Sequence, residues 1–566
     1  MSYSNAVIDI ETTGLNRYKD SITWIGVGLV RDNELVKTLI FNGKDSNSTG
    51  KFLCLCEKIK SHGLRTIFQN GKFDTLFLEK HLGVKLPIHE DVMLLATAYD
   101  LSAEHGLKSM AKSYLGVDDW DIKKKDKLSG SKEIVVPYLK LDVKYTWELY
   151  KYFNERMSQK QIHIYKKLLM PAYRTYRDIE YNGLYLNLDD LKKVKEKYNN
   201  EENRLLSELK QHYDINWNSS AQVANCFFQK EGMPITEKTP KGAPSTSASV
   251  LRDLSMRGYE LPKLLMEYKD ASTRNKMFLN RWEDDCYESR IHPSFNLTNV
   301  VSGRTSCNNP NLQQVPRTKD IRGLFSGSPG MILFEADYSQ LELRIAAHYA
   351  NDKTMLSIYH NNGDIHTETA RLFTNGRDPT KEERGKAKAV NFGFLYGMQA
   401  KKFVAYALNS YGQIFTQSEA EHIRNLFFAK YSRLLPWHKE QEVLCEMHGG
   451  VENLFGRFRK LPLIYSSNKW ERASAARRAI NTPVQGSGSD LLISAVTQIN
   501  KELKGIAWIG ATVHDSIIGE CHIEDKDYVD KEIRKIMLHP KVLDDFDVEL
   551  RVPLDVDIGW GPWGTH

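Results

Sequence analysis

Residues 510–520 read G-A-T-V-H-D-S-I-I-G-E, and this short run constrains the architecture of the chain more than any other. It places an ionisable pair, His514 and Asp515, among apolar residues that are typical of a buried strand. A buried carboxylate either has a partner or has its pKa raised until it is neutral. We therefore expect another segment of the chain to supply a group that compensates Asp515.

Two further segments carry residues suited to the same site. L-F-E-A-D-Y-S-Q-L-E-L-R, residues 333–344, predicts a strand that ends at Asp337 and leads into a helix, with a simple turn-forming Asp as the alternative. In R-G-K-A-K-A-V-N-F-G-F-L-Y-G, residues 384–397, basic and then aromatic residues recur every four positions along one helix face. Cations bind phosphates and aromatic rings stack on bases, so this stripe suits contacts with a nucleotide or nucleic acid. The alternative is a surface helix whose aromatic residues are buried.

The three segments together resemble the polymerase motifs of the family A DNA polymerases, in the Klenow-like form of bacterial and phage replicative enzymes. The matching patterns are D-Y-S-Q-x-E-x-R, R-x-x-x-K-x-x-x-F-G-x-x-Y-G and V-H-D, in that order. Further segments that resemble the family are K-T-P-K-G-A-P-S-T-S, S-G-R-T-S, N-L-Q-Q-V-P, D-I-H and N-T-P-V-Q-G. The resemblance covers nearly the whole chain. Membership of this family would imply template-directed addition of dNTPs to a primer 3′ end.

The resemblance implies a two-metal site built on Asp337 and Asp515, with Tyr338 as a neighbouring ligand. Two Mg²⁺ ions per active site, with Mn²⁺ as a substitute, are expected for phosphoryl transfer of this kind. One position departs from the family, which usually has Glu after the Asp of V-H-D, whereas this chain has Ser516. The missing carboxylate puts the affinity and preference for the second ion in question, but it leaves the reaction class unchanged.

The resemblance also implies how dNTPs and DNA are bound. Arg384 and Lys388 would neutralise the triphosphate as catalytic groups, with His366 of G-D-I-H assisting. The other nucleotide-binding residues implied are Phe392 and Tyr396 against the sugar and base, Gln340, and Glu342 at the ribose 2′ position. The DNA-binding residues implied are Arg304, Arg477, Asn481, Gln485 and His514, with a packed turn residue as the alternative for His514. Pro483 is expected to interrupt the helix that carries the 477–485 stripe.

A second acidic cluster lies near the N-terminus. Asp9 and Glu11 share one face of a predicted strand, Asp74 begins a helix, and Tyr138 and Asp142 share a face of another helix. A solvated strand end would explain Asp9 and Glu11 taken alone. D-I-E-T, N-G-K-F-D and Y-L-K-L-D resemble, in order, the motifs of DEDD-type 3′-5′ exonucleases with tyrosine in the third motif. That resemblance implies metal binding by the four carboxylates and a catalytic, water-orienting Tyr138.

The expected fold class is α/β and α+β multidomain, with an RNase H-like exonuclease domain followed by a right-hand polymerase domain of palm, fingers and thumb. The expected divisions are the exonuclease domain, 1–155; thumb and start of palm, 160–300; palm, 301–365; fingers, 366–470; and palm again, 471–566. Segment 118–133 is charged and contains Gly and Ser, which predicts an exposed loop. Segment 236–249 is rich in turn formers and predicts a second loop.

Composition narrows the class of protein. At 566 residues, with 27% charged and 41% hydrophobic residues, the chain has the balance of a soluble protein with several cores. A net charge of +6 permits a nucleic-acid partner without requiring one. Seven scattered cysteines indicate free thiols in a reducing compartment rather than structural zinc. With no signal peptide and no bilayer-spanning apolar run, we expect no membrane association and a cytoplasmic location, in the host if the source is a phage.

The placement of the motifs suggests how the chain is used. Because the exonuclease-like motif begins at Asp9, we expect no preceding 5′-nuclease domain, and that expectation favours a phage replication enzyme. Residues 221–304 are no longer than a bare thumb, so a large inserted processivity-factor loop is not expected. We expect a monomer that acts on primer–template DNA and dNTPs, with a helicase–primase or single-strand binding protein as candidate replisome partners.

Two other functions fit parts of the pattern. A single-subunit RNA polymerase shares the palm carboxylates and the Lys/Tyr helix, but Glu342 and the exonuclease-like motifs argue against it. A non-catalytic DNA-binding or replisome scaffold would have lost site carboxylates, whereas all six named above are present. Comparing dNTP with rNTP incorporation separates the first alternative from a DNA polymerase, and DNA binding without primer extension in Mg²⁺ would support the second.

Overall fold

The structure of the chain is a computed structural model that describes residues 3–374 and 376–565. In its N-terminal region, strands and helices alternate. The strands are β1 (Asn5–Thr12), β2 (Ile22–Arg31), β3 (Glu34–Asn42), β4 (Arg65–Phe68) and β5 (Glu90–Asp91). The helices are α1 (Ser46–Ser61), α2 (Gly71–Leu82), α3 (Val92–Tyr99), α4 (Leu107–Met110), α5 (Lys124–Ser129) and α6 (Lys132–Arg156), with a π-helical turn at Ala111–Leu115.

The five N-terminal strands form one mixed sheet in the order β3-β2-β1-β4-β5. The β3-β2 and β2-β1 pairs are antiparallel, and the β1-β4 and β4-β5 pairs are parallel. β2 is buried along almost its whole length, which its run of β-branched and aromatic residues favours. This topology confirms the RNase H-like fold expected for the region, and it places β1 at the centre of the sheet.

The middle of the chain is largely helical. Its helices are α7 (Gln159–Ile164), α8 (Met170–Asn182), α9 (Leu188–His212), α10 (Ser220–Ala224), α11 (Ala248–Met256), α12 (Glu260–Arg274) and α13 (Asn280–Asp285), with π-helical turns at Tyr165–Leu169, Asn225–Lys230 and Asn275–Leu279. Its short strands are β6 (Leu184–Tyr185), β7 (Arg290–Ile291), β8 (Ser294–Asn296) and β9 (Ser306–Asn308). The long helices α9 and α12 pack against each other.

The C-terminal half combines one sheet with many helices. Its strands are β10 (Met331–Tyr338), β11 (Gly450–Glu452), β12 (Phe458–Lys460), β13 (Ala507–Val513), β14 (Ser516–His522) and β15 (Val556–Trp560). Its helices are α14 (Lys319–Arg322), α15 (Leu341–Ala350), α16 (Lys353–His360), α17 (Ile365–Ala370), α18 (Lys381–Leu395), α19 (Ala400–Tyr411), α20 (Gln417–Lys430), α21 (Leu434–His448), α22 (Lys469–Glu502), α23 (Lys526–Leu538) and α24 (Val542–Asp545), with 3₁₀ turns at Leu312–Gln314, Pro462–Tyr465 and Ile523–Asp525.

The C-terminal sheet has the order β13-β14-β10-β15 and is antiparallel throughout. β13 and β14 form a hairpin whose turn is His514 and Asp515, between the paired residues Val513 and Ser516. His514 has φ 55°, the left-handed region that tight hairpin turns use. The position of Asp515 at the tip of this hairpin follows from the turn geometry.

Helix α22 runs without a break from Lys469 to Glu502 and contains Pro483, so the predicted interruption at Pro483 is wrong. A proline inside a helix costs about 3 kcal/mol because it removes one backbone hydrogen bond and its ring clashes with the carbonyl of the preceding turn. Pro483 is buried, and tertiary packing of the helix offsets that cost.

A buried ion pair and an exposed one join the N-terminal region to the rest of the chain. Lys72 forms an ion pair with Glu180, and both side chains are about 5% exposed. Lys460 Nζ lies 2.6 Å from the Asp100 carboxylate. All seven cysteines are free thiols, as predicted. Among the residues that the structure describes, no helix has the length and apolarity needed to cross a membrane.

Candidate active sites

Three carboxylates converge beside the N-terminal sheet. Asp9 and Glu11 lie two positions apart on β1 and share one face of it, and Asp142 reaches the same point from α6. Ligand oxygens of the three side chains all lie within 4.8 Å of one another. Hard divalent cations prefer such oxygen donors, so the donor set fits the metal site that the sequence predicts.

Asp74 lies against the strand that carries two of these carboxylates. Asn70, with φ 62°, turns the chain into α2 and places Asp74 in the first turn of that helix. Asp74 Oδ1 accepts a hydrogen bond of 2.9 Å from the backbone N–H of Ile10. The side chain is buried, and burial raises its pKa well above the usual value. Asp74 therefore borders the group of three converging carboxylates without belonging to it.

The cluster carries more negative charge than a buried site tolerates without cations. Burial, followed by the charge of Asp142, raises the pKa of Asp9 well above its usual value, and burial raises the pKa of Glu11 to about 7. Lys127 Nζ lies 3.2 Å from Glu11, and Lys108 Nζ lies 2.7 and 2.8 Å from the two oxygens of Asp142. The two lysines therefore supply part of the positive charge that the carboxylates require.

The same lysines fix the phenol of Tyr138. Lys108 and Lys127 donate to the Tyr138 hydroxyl at 2.6 and 2.9 Å, and this side chain is 4% exposed. Trp120 Nε1 donates to the α6 carboxylate at 2.7 Å. The prediction of an exposed loop over 118–133 is wrong at Trp120 and Lys127, because the carboxylates attract an N–H donor and a cation into the cluster. It is also wrong at the short helix α5.

A second pair of carboxylates meets at the end of the C-terminal sheet. Asp337 pairs across the sheet with Ser516, the residue after Asp515, and the backbone N–H of Tyr338 donates to the Asp515 carbonyl at 3.3 Å. Burial, followed by the charge of Asp515, raises the pKa of Asp337 to about 7, and burial also raises the pKa of Asp515. The structure thus brings together the two predicted carboxylates, whose repulsion a divalent cation would relieve.

Asp557 adds a third carboxylate beside this pair. It lies opposite Asp337 in the β10–β15 pairing, so both side chains point to the same face of the sheet, and both line the same cavity. Ser516, in contrast, is 4% exposed and donates its hydroxyl to the Val513 carbonyl at 2.8 Å. Sequence reasoning missed Asp557; the alternating pattern V-D-I-G of the last strand could have indicated it.

A cavity of about 940 Å³ opens over Asp337. Helix α18 lines it with Lys388 and Phe392, and a capping box of Thr380 and Glu383 fixes the start of that helix. Burial and the nearby charges of Arg317 and Arg384 lower the pKa of Lys388. Three further cavity cations were not predicted from the sequence: Arg317 and Arg322, which follow the N-L-Q-Q-V-P segment, and Arg534 of α23.

Arg384 and His366 are held in place by neighbouring side chains. Arg384 Nε and Gln340 Nε2 donate to the two oxygens of Asp364, at 2.6 and 2.8 Å. Burial lowers the pKa of His366 to about 4, so its ring is neutral at pH 7. His366 Nδ1 lies 2.8 Å from the side-chain amide nitrogen of Asn391. An amide N–H donates, so Nδ1 accepts and Nε2 carries the hydrogen; His366 offers a neutral donor rather than a charge.

Glu342 lies in the wall of the cavity with two partners. It accepts a hydrogen bond from the Tyr396 hydroxyl and forms an ion pair with Arg304, and it is 8% exposed. Burial raises the pKa of Glu342. Arg304, which the resemblance assigns to DNA, is therefore engaged by this carboxylate. The hydroxyl of Tyr338, a predicted metal-site residue, is buried and has no hydrogen-bond partner in the described part of the chain.

The other predicted DNA contacts lie on α22 and at the hairpin turn. Arg477, Asn481 and Gln485 follow one another at four-residue intervals on the unbroken helix. Arg477 is exposed, and Asn481 and Gln485 are half-buried. His514 lines the cavity, and burial lowers its pKa.

Two family sequence models match separate parts of the chain. The sequence model of DNA polymerase family A matches residues 188–565, and a 3′-5′ exonuclease model matches residues 4–158. DNA polymerase I of Borreliella burgdorferi is 28% identical over 574 residues, which cover 98% of this chain and 62% of that protein. DNA polymerase I of Caldicellulosiruptor bescii is 31% identical over 534 residues, which cover 91% and 59%. The chain thus spans about three fifths of the length of these relatives.

One solved structure covers almost the whole fold. It is the POL domain of Pol1 from M. smegmatis in complex with DNA primer-template and dNTP, with a TM-score of 0.85. The alignment covers 99% of this chain and 96% of that one at 23% sequence identity, so it bears on the fold alone. It confirms the expected fold class, in which an exonuclease-like domain precedes a polymerase-like domain.

Proposed function

This chain belongs to DNA polymerase family A, and we propose that it is a template-directed DNA polymerase with a 3′-5′ proofreading exonuclease, working in DNA replication. One observation carries the proposal: Asp337 and Asp515 meet beneath a cavity that Lys388 lines from α18. The separate convergence of Asp9, Glu11 and Asp142 supports the second activity.

In synthesis, the primer 3′-hydroxyl attacks the α-phosphate of a dNTP and pyrophosphate leaves. Lys388, with Arg317 and Arg384 nearby, offsets the negative charge that develops on the leaving group. His366 donates a neutral hydrogen bond to the same region. Asp337 and Asp515 would hold two Mg²⁺ ions, which when bound supply Lewis-acid stabilisation of the attacking and leaving oxygens.

In proofreading, water attacks the terminal phosphodiester of the primer strand. Asp9, Glu11 and Asp142 would hold the divalent ions there, with Asp74 fixing the strand between the first two. The Tyr138 hydroxyl, which accepts hydrogen bonds from Lys108 and Lys127, would orient the attacking water. The two chemistries then use different carboxylates on different sheets.

We assign proofreading to 1–155 and synthesis to the remainder, with thumb, palm and fingers divided as the sequence predicts. Mg²⁺ is the proposed ion, and primer–template DNA and dNTPs are the proposed substrates. The phage source, the monomeric state and the replisome partners stay predictions.

A single primer assay tests this function. With Mg²⁺ and all four dNTPs, a labelled primer annealed to a longer template should lengthen, and without dNTPs it should shorten from its 3′ end. Replacing dNTPs with rNTPs should give little extension, and efficient rNTP extension would favour the RNA polymerase alternative. DNA binding with neither extension nor degradation would favour the scaffold alternative.

A further inference from the structure

Trp470 is an exposed aromatic residue at a fixed backbone position. Its side chain is 81% exposed, the highest value among the large hydrophobic residues that the structure describes. It is the second residue of α22, and its backbone N–H donates to the side chain of Asn468 at 2.9 Å. Large apolar side chains are usually at least partly covered, so a fixed and open indole suggests a contact outside the chain.

Trp470 shares a helix face with two of the residues proposed to bind DNA. With roughly 100° of rotation per residue, Arg477 and Asn481 both fall within about 20° of Trp470 around the helix axis. The helical rise places Trp470 about 10 Å beyond Arg477 along that axis. The opposite face is covered, because Ala475 and Ala479 are buried. Trp470 therefore continues the DNA-facing stripe past its predicted end.

Cations without acidic partners surround this end of α22. Lys469, Arg472, Arg477 and Arg478 are exposed, and no carboxylate lies within salt-bridge distance of them in the described parts of the chain. Arg459 contacts the same helix, since its Nη1 donates to Thr482 Oγ1 at 2.8 Å, and burial and the charge of Arg478 lower its pKa. Neighbouring cations that repel one another gain most from an anion that bridges them, such as successive phosphates of a nucleic acid.

We propose that Trp470 stacks on a base of the single-stranded template, while the arginines beside it bind the template phosphates. Bases in a duplex already have both faces covered, so an open indole selects an unpaired strand. Continuity with the Arg477 and Asn481 stripe and the unpaired positive charge favour DNA over a protein partner. The inference rests on the proposed polymerase function and adds a chain-specific contact to it.

Equilibrium binding to two DNAs tests the proposal. One is a primer–template with a long 5′ template overhang, and the other is the same duplex with blunt ends, both followed by fluorescence anisotropy at one salt concentration. Trp470→Ala should weaken binding of the overhang DNA at least about fivefold, which corresponds to the lower end of the energy of stacking one base on an aromatic ring. Binding of the blunt duplex should weaken less. Trp470→Phe should retain most of the affinity. Leu463→Ala, an exposed apolar residue outside the stripe, is the matched control and should bind both DNAs like the wild type.

Two results would overturn the inference. One is wild-type affinity of Trp470→Ala for the overhang DNA, and the other is an equal loss on both DNAs. If the wild-type protein extends primers, either result contradicts the stacking contact but leaves the proposed polymerase function standing. A wild-type protein that extends no primer contradicts the proposed function instead, so the two failures are distinguishable.

Discussion

The Tyr396 hydroxyl donates a hydrogen bond to one oxygen of Glu342, and Arg304 pairs with the other. Both carboxylate oxygens are therefore engaged, and the side chain is 8% exposed in the wall of the cavity above Asp337. A group held from two sides resists displacement by a 2′-hydroxyl. This arrangement suits Glu342 to select deoxynucleotides.

Glu342→Ala should therefore raise the use of rNTPs relative to dNTPs by at least about tenfold, because the variant opens space at the sugar. Single-nucleotide insertion kinetics with matched dNTP and rNTP give the ratio of kcat/KM values. Tyr396→Phe keeps Glu342 and removes only its hydrogen bond, so it should change the ratio less. An unchanged ratio in Glu342→Ala would remove this residue from the sugar gate.

Ser516→Glu should shift the metal dependence of primer extension. The change adds a carboxylate beside Asp337, its cross-strand neighbour, which should lower the Mg²⁺ concentration needed for half-maximal extension. Ser516→Ala is the control, because it also loses the hydrogen bond to Val513 but adds no charge. Identical Mg²⁺ and Mn²⁺ titrations for wild type and Ser516→Glu would show that position 516 does not tune metal use.

Lys127→Met should lower the Mg²⁺ concentration needed for primer degradation severalfold. Lys127 pairs with Glu11 and so competes with a metal ion for that carboxylate. Extension should keep its Mg²⁺ dependence, since Lys127 is not among the residues lining the cavity over Asp337. Lys125→Met, an exposed lysine on the same short helix, is the matched control. A higher Mg²⁺ requirement in Lys127→Met would contradict a competing role and indicate that the lysine assists the reaction.

The buried His438 should make the protein less stable in mild acid. Burial lowers its pKa to about 4, and Nε2 lies 2.8 Å from the Leu395 carbonyl oxygen. Between pH 6.5 and about 4, His438 is protonated in the unfolded chain but stays neutral in the folded protein. The free energy of unfolding therefore falls as the pH drops through this window. The loss from this one group is about 3 kcal/mol.

Urea unfolding of wild type and His438→Gln at pH 7.5 and 4.5 isolates this contribution. Glutamine keeps an N–H donor and does not titrate, so the stability of the variant relative to wild type should rise as pH falls. A difference that stays constant with pH would assign the acid sensitivity to other groups.

The site carboxylates could be predicted because short-range geometry places them. Strand alternation puts Asp9 and Glu11 on one face, and the hairpin turn puts Asp515 at its tip. The alternation of the last strand could indicate which face Asp557 occupies, but only the long-range pairing of β15 with β10 brings it to Asp337.

Other features depend on energies that local patterns do not contain. The run K-K-K-D-K, residues 123–127, looks solvated in the sequence, and only the converging carboxylates draw Lys127 inwards. Pro483 usually ends a helix, but the packing of α22 outweighs the lost hydrogen bond. In both cases tertiary contacts override the local preference.

The central claim is that one chain carries two independent phosphoryl-transfer sites, and a single primer assay on two variants tests it most directly. Asp74→Ala should abolish primer shortening without dNTPs and leave extension with dNTPs near the wild-type rate. Asp515→Asn should do the reverse, with circular dichroism confirming that both variants are folded. Loss of both activities in either folded variant would contradict the two-site account.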